Sequence, residues 1–232
     1  MSKETMAARI VSNRSKTTLA ETSIFSQLFL GYKMANAYID AIRTRRTQYA
    51  LGKDLPLPEA EVTALIQEAV KLSPSAFNSQ SSRVVILYGA QSTKFWEFVK
   101  DALRKIVPTE HFEPTEAKIK GFASGAGTVL FYEDKDVIAK LQNQFAAYAE
   151  NFPVWSEHST GIAQFSVWSA LANASIGASL QHYNPLPDAA AASEWSIPSN
   201  WYLRAQMPFG SNESPFGEKT FIDDSERFRI FG

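Results

Sequence analysis

The segment Ser73-Pro74-Ser75-Ala76-Phe77-Asn78-Ser79-Gln80-Ser81-Ser82-Arg83 gathers hydroxyl and amide side chains into a short stretch. Such groups offer many hydrogen-bond donors and acceptors in little space. Ser73-Pro74 should stop any preceding helix, because the residue before a proline avoids the α region. A polar, ordered segment at the mouth of a helix–strand unit suits a flat, heteroatom-rich ligand better than a metal or a phosphate alone. The reading is a flavin-edge site.

A second chemical group is Arg43-Thr44-Arg45-Arg46-Thr47. Two readings stand side by side. Cations at a helix C-terminus complement the macrodipole, and paired arginines also grip phosphate bidentately. Composition narrows the rest. The 232 residues contain no cysteine, which removes disulfides, thiolate nucleophiles and cysteine-held metals. Three separated histidines (His111, His158, His182) argue against a metalloenzyme. A net charge of −1 gives no basic field for nucleic acid, so no nucleic-acid partner is expected. No apolar run is long enough for a bilayer, so no membrane association is expected either.

The elements that must position these groups follow from periodicity. Tyr38, Ala41 and Ile42 recur at helical spacing within a helix over residues 35–46, and Val62, Leu65, Ile66, Ala69 and Val70 form one stripe of a helix over 59–72 introduced by Pro58. Val84 to Tyr88 reads as a continuous apolar strand closed by Gly89. Ser92 would cap a helix running to about Ile106, with Phe95, Trp96, Val99 and Leu103 inward. Residues 109–123 read as a solvated helix or lid. Gly125-Ala126-Gly127 precedes a strand over 128–132, the wrong order for a dinucleotide fingerprint, so these glycines serve a turn. Asp134 would cap a helix to about Asn151, and Phe152-Pro153-Val154-Trp155 reads as an interruption. A long helix, apolar on most sides, then spans 161–183 and belongs in a protein centre or a subunit interface. A short helix over 188–194 and a strand over 201–207 complete one α+β domain, a sheet wrapped by helices.

Residues 1–33 differ: Lys3, Arg9, Arg14, Lys16 and Lys33 stand among Ser, Thr and Ala, with Glu4 and Glu21 the acids. This reads as a disordered extension or an organelle-targeting leader, with the folded unit starting near Met34. A cytoplasmic (or nuclear) location goes with the first reading and a mitochondrial one with the second.

From about Met34 onward the chain resembles the nitroreductase family of flavoproteins, in its short fungal and lactic-bacterial branch. The matching motifs are Arg45-Arg46-Thr47 after the first helix and Ser73, Pro74, Ser75, Asn78 and Gln80 in the polar loop. Gly177 to Tyr183 at the end of the long helix and Gly217-Glu218-Lys219-Thr220-Phe221 near the C-terminus complete the set. The resemblance implies a central, mainly antiparallel sheet and an intertwined homodimer with two FMN molecules at its interface. Arg45, Arg46, Thr47 and Lys219 would hold the phosphate region. Ser75, Ala76, Phe77, Asn78 and Gln80, with backbone groups of Leu180, Gln181 and His182, would hold the ring. Where better-studied bacterial members carry Pro-x-Glu-Gly, this chain has Gln181-His182-Tyr183-Asn184.

The implied activity is ping-pong transfer from NADH or NADPH, through FMN, to a nitroaromatic, quinone or similar small-molecule acceptor. No protein nucleophile or dedicated base is required. His182 stands open between proton donor and packing or cofactor contact. Phe122, Tyr132, Phe152 and Trp155 are candidates to flank the acceptor. The alternative function is a flavin-binding regulatory or stress-response protein of the same fold whose reductase turnover is incidental.

Overall fold

The computed structural model describes residues 36–232, so the expected extension over 1–33 and the expected start at Met34 lie outside the described residues. The chain divides after Asp40, and the description below concerns the unit Ala41–Gly232. On the other side of that division, the Asn36 side chain accepts from the Tyr38 and Ile39 N–H groups and caps helix α1 (Ala37–Thr44).

Among the described residues five strands make one sheet. They are β1 (Leu51–Gly52), β2 (Ser82–Tyr88), β3 (Gly127–Asp134), β4 (Gly177–Ala178) and β5 (Trp201–Asn212). The order is β1-β5-β3-β2, β4 also pairs with β5, and every strand pairing is antiparallel. The parallel element is an isolated bridge, Thr47 to Ala178. Central β3 is buried along its whole length, as its apolar sequence on both faces requires.

Alternation along the strands divides the core in two. Val129, Phe131, Ala205, Met207 and Phe209 face helices α2 (Glu59–Leu72) and α6 (Phe152–Asn173), which bring Val62, Ile66, Val167 and Leu171. Leu87, Leu130, Tyr132 and Leu203 face α3 (Gly89–Arg104), α4 (Phe112–Ala123) and α7 (Asp188–Glu194), which bring Phe95, Trp96, Val99, Ile119, Phe122 and Ala191. Leu203 and Ala205 are two residues apart yet lie in opposite cores. The register shift opposite Phe131 and Tyr132 inserts Arg204 as an extra residue and reverses the alternation. The expected α+β class is the observed one.

Several expected boundaries move. α3 begins at Gly89, whose φ of +51° makes the reversal out of β2, so Ser92 does not cap it. Ser92 is buried, its hydroxyl 2.7 Å from that of Thr128. The expected lid over 109–123 is instead core material, since Phe112, Ile119 and Phe122 of α4 are buried. The helix capped by Asp134, α5 (Lys135–Gln144), stops well before Asn151. The largest correction concerns α6. Pro153 opens this helix rather than interrupting it, because a first-turn N–H has no intrahelical partner to lose. α6 ends at Asn173, and the stretch after Gly177 is extended edge, not helix. At Gly210 on β5 a side chain would collide with the Gly52 carbonyl, so glycine sets how closely β1 approaches.

Candidate functional site

Ser73 is extended and ends α2, its hydroxyl donating to the Ala69 carbonyl at 2.8 Å. The chain then turns tightly through Phe77, Asn78 and Gln80, with φ of 55°, 49° and 48°. Left-handed backbone at a non-glycine residue costs roughly 1 kcal/mol or more, so this loop persists only because its surroundings fix it. The Gln80 N–H donates to Ser75 Oγ at 2.9 Å, and the Ala76 N–H to Ser159 Oγ of α6 at 3.4 Å. Arg83 donates to the Gln80 carbonyl at 2.5 Å and pairs with Asp134 at 3.0 Å. The Phe77 ring sits among Phe145, Tyr148, Phe152 and Trp155, nearly parallel to Trp155 at 5.9 Å. The side chains of Asn78 and Gln80 are left exposed at the surface.

A cavity of about 420 Å³ opens between this loop and α6, lined by Ser75, Ala76, Phe77, Trp155, His158 and Ile162 among others. Trp155, His158, Ser159 and Ile162 follow helical i, i+3, i+4, i+7 spacing and so share one face. Sequence reasoning read Pro153 as a break and so left His158 and Ser159 outside any helix, with Ile162 as an apolar helix residue only; treating that proline as a first-turn residue would have joined them into one stripe. Of the aromatics expected beside an acceptor, Trp155 lines the cavity, Phe152 is buried beneath Phe77, and Phe122 and Tyr132 belong to the opposite core.

The arginines lie elsewhere, past the end of α1. The Arg45 guanidinium covers the Trp168 ring at 4.3 Å; burial lowers its pKa, and the neighbouring charge of Arg46 lowers it further. Arg46 donates to the Gly217 carbonyl at 2.6 Å and lies 5.9 Å from the Phe216 ring. With Thr44, Ser175, Gly177 and Asn212 it lines a recess of about 130 Å³. Thr47 bridges to Ala178, and Gln48 exchanges side-chain bonds with Ser214. The segment after α1 is therefore held against residues 214–217. Lys219, two residues past Gly217, is exposed and folds over Phe221 at 5.1 Å.

The third piece is the edge from Gly177 to Tyr183. The N–H groups of Ser179, Gln181 and Tyr183 are spent on Pro208, Gln206 and the Gln206 side chain. Strand alternation turns the N–H groups of Leu180 and His182 the other way, off the sheet. Gln181 is buried, its side-chain amide donating to Ser179, whereas His182 is exposed.

The arginine segment meets the Gly177–Tyr183 edge through the Thr47–Ala178 bridge, while the polar loop and the arginines meet α6 at different places. Ser159, under the loop, and Trp168, under Arg45, are nine residues apart on α6. At 3.6 residues and 5.4 Å per turn that separation is about 180° of rotation and about 14 Å of rise. Loop and arginines thus flank opposite sides of the same helix.

The family model described as the nitroreductase family matches residues 42–211. The chain belongs to the nitroreductase family. It is 49% identical to the solved nitroreductase CinD from Lactococcus lactis in complex with nicotinic acid, with a TM-score of 0.79 over 84% of this chain and all of that one. It is 39% identical to HBN1 of Saccharomyces cerevisiae, provisionally described as a nitroreductase, over 82% of this chain and 96% of the relative. A nitroreductase with bound FMN from Desulfitobacterium hafniense shares the fold at 16% identity, with a TM-score of 0.63 over 86% of this chain and all of that one. Membership makes this nitroreductase-family chain an oxidoreductase, and its fold nitroreductase-like. Among the described residues of this family member no helix is long and apolar enough to cross a membrane.

Proposed function

We propose that two copies of this chain hold FMN between them and use NADH or NADPH to reduce nitroaromatics, quinones or related planar acceptors. The observation that carries the proposal is the placement of the polar loop and the arginine pair on opposite flanks of α6. Groups on opposite flanks of one helix suit a ligand held between copies, where Asn78 of one copy and Arg45 of another meet across an interface. A second observation supports the pairing. Phe221, Ile222, Phe228, Ile230 and Phe231 stand exposed on the C-terminal arm, the last two at 91% or more. An apolar run of that kind is interface material.

The donor set fits FMN. Burial first and the charge of Arg46 second disfavour the Arg45 cation, and an anionic tail placed against Arg45, Arg46 and Lys219 offsets both. The exposed amides of Asn78 and Gln80 match a ring edge carrying both donors and acceptors. The N–H groups of Leu180 and His182 are directed off the sheet for the same use, while Thr47 and Gln181 keep that backbone in place. FMN would supply the redox chemistry when bound, with ping-pong turnover between nicotinamide and acceptor as the proposed order. The chain supplies binding, orientation and a largely apolar cavity beside Phe77 and Trp155 that takes a planar group. The solved complex of CinD with 4-nitrophenol supports this acceptor class.

A visible spectrum of the purified protein tests the reading. The expected result is a flavin band that bleaches on adding NADH or NADPH under argon and returns with a nitroaromatic or quinone. A colourless protein that takes up no added FMN would refute it. FMN bound but reduced by neither nucleotide would favour a regulatory flavin-binding role instead.

A further inference from the structure

Glu133, near the end of β3, is 2% exposed and has no cationic partner among its hydrogen bonds. Its carboxylate instead receives three serine hydroxyls. Ser81 donates to Oε2 at 2.5 Å, Ser156 to the same oxygen at 2.7 Å, and Ser82 to Oε1 at 2.5 Å. A buried carboxylate is expensive to keep unless its lone pairs are filled, so a site filled entirely by hydroxyls is a deliberate joint.

What it joins is specific. Ser81 and Ser82 are the exit of the polar loop into β2. Ser156 lies on α6 one residue past Trp155, and Ser159, one turn along, is the hydroxyl that receives the Ala76 N–H. The next residue, Asp134, completes the clamp. Its N–H donates to the Ser81 carbonyl at 3.0 Å, and its carboxylate takes Arg83, which in turn holds the Gln80 carbonyl. The two carboxylates thus tie both the exit of the left-handed turn and the helix beneath it to one point on the sheet.

We infer that Glu133 is a positioning residue: through Ser81, Ser82 and Ser156 it holds the strained Phe77–Gln80 backbone and so sets where the Asn78 amide and the Phe77 ring are presented to the ligand. This deepens the proposed flavin site and rests on it for its effect on FMN. The backbone part of the inference stands on the apo-protein alone. Charge-assisted hydrogen bonds are the strong ones in such a joint. Glu133→Gln keeps the shape and removes the charge, and Ser156→Ala cuts only the strut to α6.

Amide hydrogen exchange of the apo-protein and FMN titration of the same variants test it. In both variants exchange at residues 76–80 should rise about tenfold, with β3 and the α6 core unchanged, and the FMN Kd should rise about tenfold. Exchange that rises throughout the domain would overturn the inference, since Glu133 would then be an ordinary core residue. Unaltered loop exchange would overturn it as well. Should Glu133→Gln fail to fold, Ser156→Ala decides by the same criteria. Should the wild type bind no FMN, the proposed function fails while hydrogen exchange still decides the role of Glu133.

Discussion

Gln206 is fully buried on β5 and holds the edge strand that carries Leu180 and His182. Its Oε1 accepts the Tyr183 N–H at 2.7 Å, and its Nε2 donates to Asn184 Oδ1 at 3.3 Å. The Gln206 backbone separately exchanges two hydrogen bonds with Gln181, at 2.7 and 2.9 Å. Gln206→Leu keeps nearly the same volume and the backbone pair but abolishes both side-chain bonds. Tyr183 N–H, half-buried, then loses its acceptor at a cost of about 1–3 kcal/mol. The longer bond to the half-buried Asn184 adds about 1 kcal/mol at most, since water can replace it. A total of roughly 1–4 kcal/mol should lower Tm by about 2–16 °C in a domain of this size. The assay is calorimetry on apo-protein, followed by FMN titration of the folded variant at 15 °C, where the freed edge should weaken binding. A Tm within about 1 °C of wild type would show that the Gln206 side chain does not hold this edge.

The other predictions are brief. Arg46→Met should weaken FMN binding by about tenfold to a hundredfold, the worth of one charge-assisted contact. Because Arg46 is partly solvated, the apo-protein should melt within about 3 °C of wild type; an unchanged Kd by fluorescence titration would remove Arg46 from the site. Asp188 has a buried Oδ1 without a partner among the described residues, and burial raises its pKa more than Arg204 lowers it. A carboxyl with a raised folded pKa contributes its full stability below the ordinary aspartate range and loses it as pH rises through the folded value. Asp188→Asn should therefore match wild type in melts at pH 3.5 and exceed it at pH 8; an equal gap at both pH values contradicts this.

How much of this was legible beforehand depends on what kind of signal each piece leaves. α2 falls where periodicity put it, because its apolar spacing is local and Pro58 marks its start, and α7 falls where its run of alanines put it. α6 did not, since one proline can either end a helix or begin one and only the surrounding packing decides. That misreading hid His158 and Ser159, while the apolar run past Asn173 separately let the Gly177–Tyr183 edge pass for helix. Glu133 left no trace in sequence, for a carboxylate beside Asp134 at a strand end reads as a solvated turn. Its burial is a tertiary fact, created by serines 23 and 51 to 52 residues away. The local pattern of the arginine pair left two readings open, and the basic motif near the C-terminus favoured the phosphate one; the structure adds that Arg46 reaches the Gly217 carbonyl.

The central claim is that one ligand site takes its loop from one copy and its arginines from another. Two variants, Asn78→Ala and Arg46→Met, co-expressed under different tags and purified through both, test it by bound flavin. Each alone should retain little FMN. In the doubly tagged mixed dimer, one site carries both intact groups and the other neither, so about half the wild-type flavin per dimer should return. Mixed dimers as empty as either parent would mean that loop and arginines serve one ligand within a single chain, and the account would be wrong.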